Sequence, residues 1–239
     1  MKTVATKGVL FDLDDTLIDF QYARRRGLRA LLKILPELSA EPIEELELIH
    51  DRELHANYLC TLDGSLSETK ARINRMSGIC KHYNITPETD RLKAAATVYA
   101  REQESNRRVV PGASEILSAL RGKARIGVIT NGPSLRQREK LRFCGIHPET
   151  LDAIVISEEV GTTKPDPEIF HRAIDHLMTE PQQTVMIGDS WENDILGAIN
   201  SGLRAIWINR YSQECPDSSL AFEINSLEPT DEIMEIIGY

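Results

Sequence analysis

The 239-residue chain predicts an α/β fold: a doubly wound parallel sheet carrying an inserted, all-helical cap domain. Two patterns support this. Five short runs of β-branched and large aliphatic residues occur at Val9–Leu13, Ile126–Thr130, Ala153–Ser157, Thr184–Gly188 and Ala205–Asn209. They lack polar alternation, as strands buried on both faces of a parallel sheet do. The second pattern is a gap of roughly ninety residues between the first run and the next, far longer than an ordinary βα connection.

From Ile126 onward the strand runs alternate with helical patterns, the signature of βαβ units. Asp166 followed by Pro167 reads as an N-cap with proline in the first turn, and Thr86–Pro87 reads the same way. The long gap reads as four helices, Tyr22–Leu35, Ile43–Tyr58, Glu68–Tyr83 and Glu88–Glu104, broken by Pro36, Asp63–Gly64 and Asn84–Pro87. The expected organisation is a core of residues 1–18 and 107–239, with a helical cap over 19–106. There is no internal repeat.

Composition excludes several functions. The formal charge is −9 and there is no long basic run, which argues against a nucleic acid polymer as partner. No apolar run is long enough to cross a bilayer, so no membrane partner is expected. Cys60, Cys80, Cys144 and Cys215 are scattered, without the close pairs that hold zinc. A reducing cytoplasm is the expected compartment. Oligomeric state is left open.

Chemistry concentrates where the strands stop. Asp12-Leu13-Asp14-Asp15-Thr16 ends the first run. Carboxylates two residues apart point the same way if the strand continues, and they repel unless a cation or proton lies between them. A lone pair of this kind is also a common Asp-rich turn. The other strand ends decide between the two readings. Thr130-Asn131-Gly132 closes the second run and Lys164 follows the third. Gly188-Asp189-Ser190 closes the fourth, with Asn193 and Asp194 just beyond. In an open parallel sheet the carboxyl ends of the strands face one crevice, so these residues converge. Asp12, Asp14, Asp189 and Asp194 sum to −4 and Lys164 adds +1. A site of that charge repels a phosphate dianion unless a divalent cation joins it, and Mg2+ suits oxygen ligands and a substrate phosphate.

Asp12-x-Asp14-x-Thr16, Thr130, Lys164-Pro165 and Gly188-Asp189-x-x-x-x-Asp194 together resemble the four ordered motifs of haloacid dehalogenase superfamily hydrolases. The long helical insertion resembles the cap of that superfamily's phosphatase, phosphoglucomutase and dehalogenase branch. Ile129–Gly132, Val155–Gly161 and Asp194–Ala198 are similar to bacterial pyrimidine 5′-nucleotidases of the superfamily. The resemblance implies a phosphomonoester hydrolase acting on a small phosphate ester, with a nucleoside 5′-monophosphate as the first choice.

By that resemblance Asp12 is the nucleophile and forms an aspartyl-phosphate. Asp14 is the acid and then the base, so it carries a proton when substrate binds. Thr130 and Lys164 complete the catalytic set, and Thr16, Asn131 and Gly132 bind substrate. The metal ligands are the carboxylates of Asp12 and Asp189 and the backbone carbonyl of Asp14. Asp194, Asn193 and Ser190 support the metal site from behind.

A phosphomutase or a sugar-phosphate or phosphoglycolate phosphatase shares these motifs. A 2-haloacid dehalogenase needs no acid at Asp14, and a non-catalytic module needs no set of four acids. Gly161-Thr162-Thr163-Lys164 lacks the first glycine of a Walker A loop. His50, Glu53 and His55 miss the helical zinc spacing and read as helix-surface residues. Of Arg24, Arg25 and Arg26, at most two can reach one side of a helix, and solvation is their default. Trp191 reads equally as pocket wall or packed indole.

Overall fold

A computed structural model describes residues 5–57, 60–61 and 65–239. The chain forms two compact units, Met1–Asp19 with Arg108–Tyr239, and Phe20–Arg107.

The first unit is built on a six-stranded parallel sheet in the order β3-β2-β1-β4-β5-β6. The strands are β1 (Gly8–Phe11), β2 (Arg125–Thr130), β3 (Ala153–Ile156), β4 (Thr184–Gly188), β5 (Arg204–Ile208) and β6 (Phe222–Ile224). β1 is central, with Phe11 in register with Val128 of β2 and Ile187 of β4. Successive side chains point to opposite faces. Val9 and Phe11 join a cluster with Ile116, Leu120, Ile233 and Ile237, from the helices Ala113–Leu120 and Thr230–Ile237. Leu10 joins Ile169, Phe170, Ala173 and Ala198, from the helices Pro167–Leu177 and Gly197–Asn200. Both faces are covered, so the strand runs are continuously apolar. Complete burial of a side chain such as Phe11 contributes about 1.5–3 kcal/mol.

All five expected strands form, Thr184–Gly188 unchanged and the others with ends shifted by at most two residues. β6 is an addition to the expected set. It has three residues, the first two are exposed, and it lies at the sheet edge, so it leaves no apolar run to read. The Asp166 carboxylate accepts from the Glu168 N–H at 2.9 Å, which caps the Pro167–Leu177 helix as expected. The Thr86–Pro87 reading is corrected: Glu88 takes the cap position, without a side-chain cap bond, and the helix is Thr89–Ser105.

Among the described residues, the second unit contains the helices Phe20–Leu31, Ile43–Ala56, Glu68–His82 and Thr89–Ser105 and a short 3-10 turn, Pro36–Leu38. They bury Leu28, Leu31, Ile49, Met76, Ile79 and Tyr99. The first helix stops four residues short of the expected Leu35 because Pro36 disfavours helical backbone before it. The expected helix end at Tyr58 and the break at Asp63–Gly64 lie outside the described residues.

Two surface expectations change here. His50 is fully buried, its ring 5.2 Å from that of Tyr99, because the Ile43–Ala56 helix turns this face into the bundle. Arg24 donates to both oxygens of Asp51 at 2.6 and 2.7 Å, and Arg25 pairs with Glu47. Only Arg26 of the three arginines is exposed.

The chain leaves and re-enters the first unit through an antiparallel pairing of Ile18 with Val109. Asp19, 2% exposed, accepts from Arg108 at 2.7 Å and lies 3.3 Å from Arg210.

Candidate active site

Asp12 sits one residue past β1, and its N–H still donates to the Ile187 carbonyl at 2.9 Å. The strand does not continue. Asp15 adopts φ +61, and the Ile18 N–H returns to the Leu13 carbonyl. Asp14 therefore lies on a turn rather than on a continuing strand. Its carboxylate accepts from Lys140 at 2.8 and 2.7 Å and from Gln137 at 3.1 Å, both on the helix Ser134–Phe143.

Asp12, Asp189 and Asp194 each present a carboxylate oxygen, and these oxygens lie within 4.8 Å of one another. Gly188 makes room for this packing. A Cβ there would sit 2.5 Å from Cγ of Asp194, so β4 ends on the one residue that admits the acid. The Ser190 N–H donates to Asp194 at 3.0 Å, and the Ser190 hydroxyl accepts from the Asn193 amide at 3.0 Å. Thr16, fully buried, donates to Asp189 at 3.3 Å.

Lys164, 4% exposed, donates to Asp12 and, at 2.6 Å, to Asp194. Burial opposes its charge, but Asp12 and Asp194 outweigh that and raise its pKa. Burial, opposed by Lys164 and reinforced by Asp194 and Asp14, pushes Asp12 up to about 7. Desolvation and then the neighbouring Asp12, Asp15 and Asp194 raise Asp189 well above the usual carboxylate range. The cluster is short of positive charge.

The charge sum read from sequence changes in one respect. Lys140 neutralises Asp14, so four acids and two lysines leave −2 rather than −3. An all-oxygen donor set with a residual negative charge fits a hard divalent cation.

Asn131 and Gly132, expected at the substrate, also make contacts within the protein. The Asn131 amide accepts from the Lys164 N–H at 2.8 Å and donates to the Lys164 carbonyl at 3.0 Å, so it staples β2 to the segment carrying that lysine. The Gly132 N–H donates to the Ser157 hydroxyl at 2.9 Å. Trp191 packs edge-on against Trp207 at 5.2 Å, and the Trp207 indole N–H donates to the Asp189 carbonyl at 2.8 Å. Lys140 and Gln137 were not legible as site residues. The only sequence signal is polar Gln137 one helical turn before Leu141, on the helix face that packs inward.

The parallel sheet, its flanking helices and acids at the carboxyl ends of the strands define a doubly wound α/β protein with an acidic site at the sheet edge. The family model for haloacid dehalogenase-like hydrolases matches residues 6–202, and the chain belongs to that family. It is 31% identical over 229 residues to the pyrimidine 5′-nucleotidase YjjG of Escherichia coli, covering 95% of this chain and 96% of that protein. It is 32% identical over 213 residues to the N-acylneuraminate-9-phosphatase of Rattus norvegicus, covering 85% and 83%. Among solved structures, HAD-hydrolase YfnB from Bacillus subtilis, bound to magnesium, superimposes with a TM-score of 0.72 at 25% identity, covering 98% of this chain and 100% of that one. The protein is an enzyme, a hydrolase with phosphatase relatives. No helix among the described residues is long and apolar enough to cross a membrane.

Proposed function

We propose that the protein is a Mg2+-dependent phosphomonoester hydrolase working through an aspartyl-phosphate on Asp12, with a nucleoside 5′-monophosphate as the leading substrate. The observation that carries this is the gathering of Asp12, Asp189 and Asp194 within 4.8 Å beside buried Lys164. The similarity to a pyrimidine 5′-nucleotidase supports the substrate class. Phosphorylated sugars are the second reading, favoured by the similarity to an N-acylneuraminate-9-phosphatase.

When bound, a magnesium ion held by the carboxylates of Asp12 and Asp189 and the carbonyl of Asp14 would lower the repulsion between Asp12 and the phosphoryl group. An Asp12 oxygen attacks phosphorus, and the bond from phosphorus to the ester oxygen breaks. Asp14, released from Lys140 and protonated as substrate binds, gives its proton to the leaving oxygen. Asp14 then removes a proton from water, whose oxygen attacks the same phosphorus, and inorganic phosphate leaves with Asp12 regenerated. Lys164 holds Asp12 in place and offsets phosphoryl charge, and Thr130 donates its hydroxyl to a phosphoryl oxygen. Asp194, fixed by Lys164 and the Ser190 N–H, supports the metal site from behind. The helical unit Phe20–Arg107 serves as the cap that sets the leaving group. Four free cysteines suit a reducing compartment such as the cytoplasm.

The test is phosphate release from nucleoside monophosphates, sugar phosphates and phosphoglycolate, with magnesium and with excess chelator, alongside Asp12→Asn. Release from a monoester that stops in chelator and is absent in a folded Asp12→Asn protein is the expected result. An active Asp12→Asn enzyme, or full turnover in chelator, refutes the reading.

A further inference from the structure

Gln137 is 1% exposed on a helix whose other buried residue is Leu141. A primary amide at such a position needs hydrogen-bond partners, and every partner it has belongs to the site. Its Nε2 lies 2.6 Å from the Thr130 hydroxyl, 3.1 Å from the Asp14 carboxylate and 3.1 Å from the Asn131 carbonyl. A carboxylate and a carbonyl only accept from it, so the amide must present its NH2 to this corner. The amide is held there by close packing: Gly132, at φ +144, lies so near that a Cβ on it would sit 3.2 Å from Cδ of Gln137.

The contact with Thr130 has only one possible direction. An amide nitrogen has no lone pair to accept with, so of its two hydrogens, shared among three acceptors, one goes to Thr130 Oγ1, the nearest at 2.6 Å. The hydroxyl hydrogen of Thr130 is then left to point elsewhere, and among the described residues no protein acceptor takes it. We propose that Gln137 is a positioning residue that sets the direction of the Thr130 O–H, so that the hydroxyl is offered to a phosphoryl oxygen of the substrate. This rests on the phosphatase reading. Gln137 also donates to Asp14, which Lys140 holds through both oxygens, and a double-mutant cycle separates that contact from the effect on Thr130.

A double-mutant cycle with Thr130→Val tests this, with kcat/KM on a chromogenic phosphomonoester and the thermal midpoint read for every variant. Gln137→Met keeps the side-chain length and removes the donors. It is expected to lose about 10-fold in an otherwise wild-type enzyme, the size of one neutral hydrogen bond. In the Thr130→Val background the same change is expected to cost less than about 2-fold, because no hydroxyl remains to be oriented. A buried amide that merely supports the fold gives equal losses in both backgrounds, and that outcome overturns the proposal, as does full activity of Gln137→Met. Should Gln137→Met lower the midpoint substantially, near-isosteric Gln137→Glu replaces it. Glutamate accepts the Thr130 hydrogen and draws it away from substrate, and it also repels Asp14, so its loss should be about 100-fold alone and about 10-fold smaller in the Thr130→Val background, where only the repulsion remains. An identical loss in both backgrounds refutes the proposal here too. Failure of the phosphatase reading is seen separately, as absence of phosphate release by the wild-type enzyme.

Discussion

Replacing Lys164 by methionine removes the cation from between two buried acids while keeping most of the side-chain volume. The ammonium lies 2.6 Å from Asp194 and also bonds Asp12, with side-chain exposures of 3%, 1% and 9% for the lysine, Asp194 and Asp12. At 2.6 Å and an effective dielectric near 20, one such pair attracts by about 6 kcal/mol. Keeping the ammonium out of water offsets several kcal/mol of that. Breaking a buried pair of this kind leaves about 3–5 kcal/mol of destabilisation, because the remaining acids are uncompensated. Urea unfolding of wild type and Lys164→Met, in chelator and in saturating magnesium, measures the difference. The gap should be about 3–5 kcal/mol in chelator and narrower in magnesium, where a dication supplies the missing charge. A variant within about 1 kcal/mol of wild type in chelator would show that the acids do not depend on this lysine, and the electrostatic account of the site would fail.

Two further outcomes are expected. Asp14→Asn should lose less activity on nitrophenyl phosphate than on an alkyl phosphate, since a good leaving group needs less help from an acid; equal losses would remove Asp14 from that role. His50, in the helical unit, gives a separate pH dependence. Burial first, and then Arg75 and Arg24 against the opposing pull of Asp51, lowers its pKa to about 4. The unfolded chain binds this proton near pH 6.5, before the folded one does, so stability is complete above that pH and falls as pH drops toward 4, by about 3 kcal/mol in all. His50→Phe should flatten that part of the stability profile; identical pH slopes for the two proteins would count against it.

Much of the molecule is legible along the chain because strands buried on both faces write themselves as uninterrupted apolar runs, and motif acids sit where those runs stop. Asp12, Thr130, Lys164 and Asp189 could be placed near one another from strand order alone, since parallel strands deliver their carboxyl ends to one edge. β6 was hidden because an exposed edge strand of three residues needs no apolar pattern. His50 was misplaced because periodicity within a helix does not say which neighbour covers it.

The fine structure of the site was decided by contacts across great sequence distances. Gln137 and Lys140 meet Asp14 over separations of 123 and 126 residues, and no spacing rule links them. Asn131 and Gly132 bond Lys164 and Ser157 across 33 and 25 residues, pairings that no local spacing announces. Residue types and their order determined the fold, the acids and the class of reaction. Which donor meets which acceptor was settled only in three dimensions, because a hydrogen bond depends on where the sheet and its helices bring two atoms together.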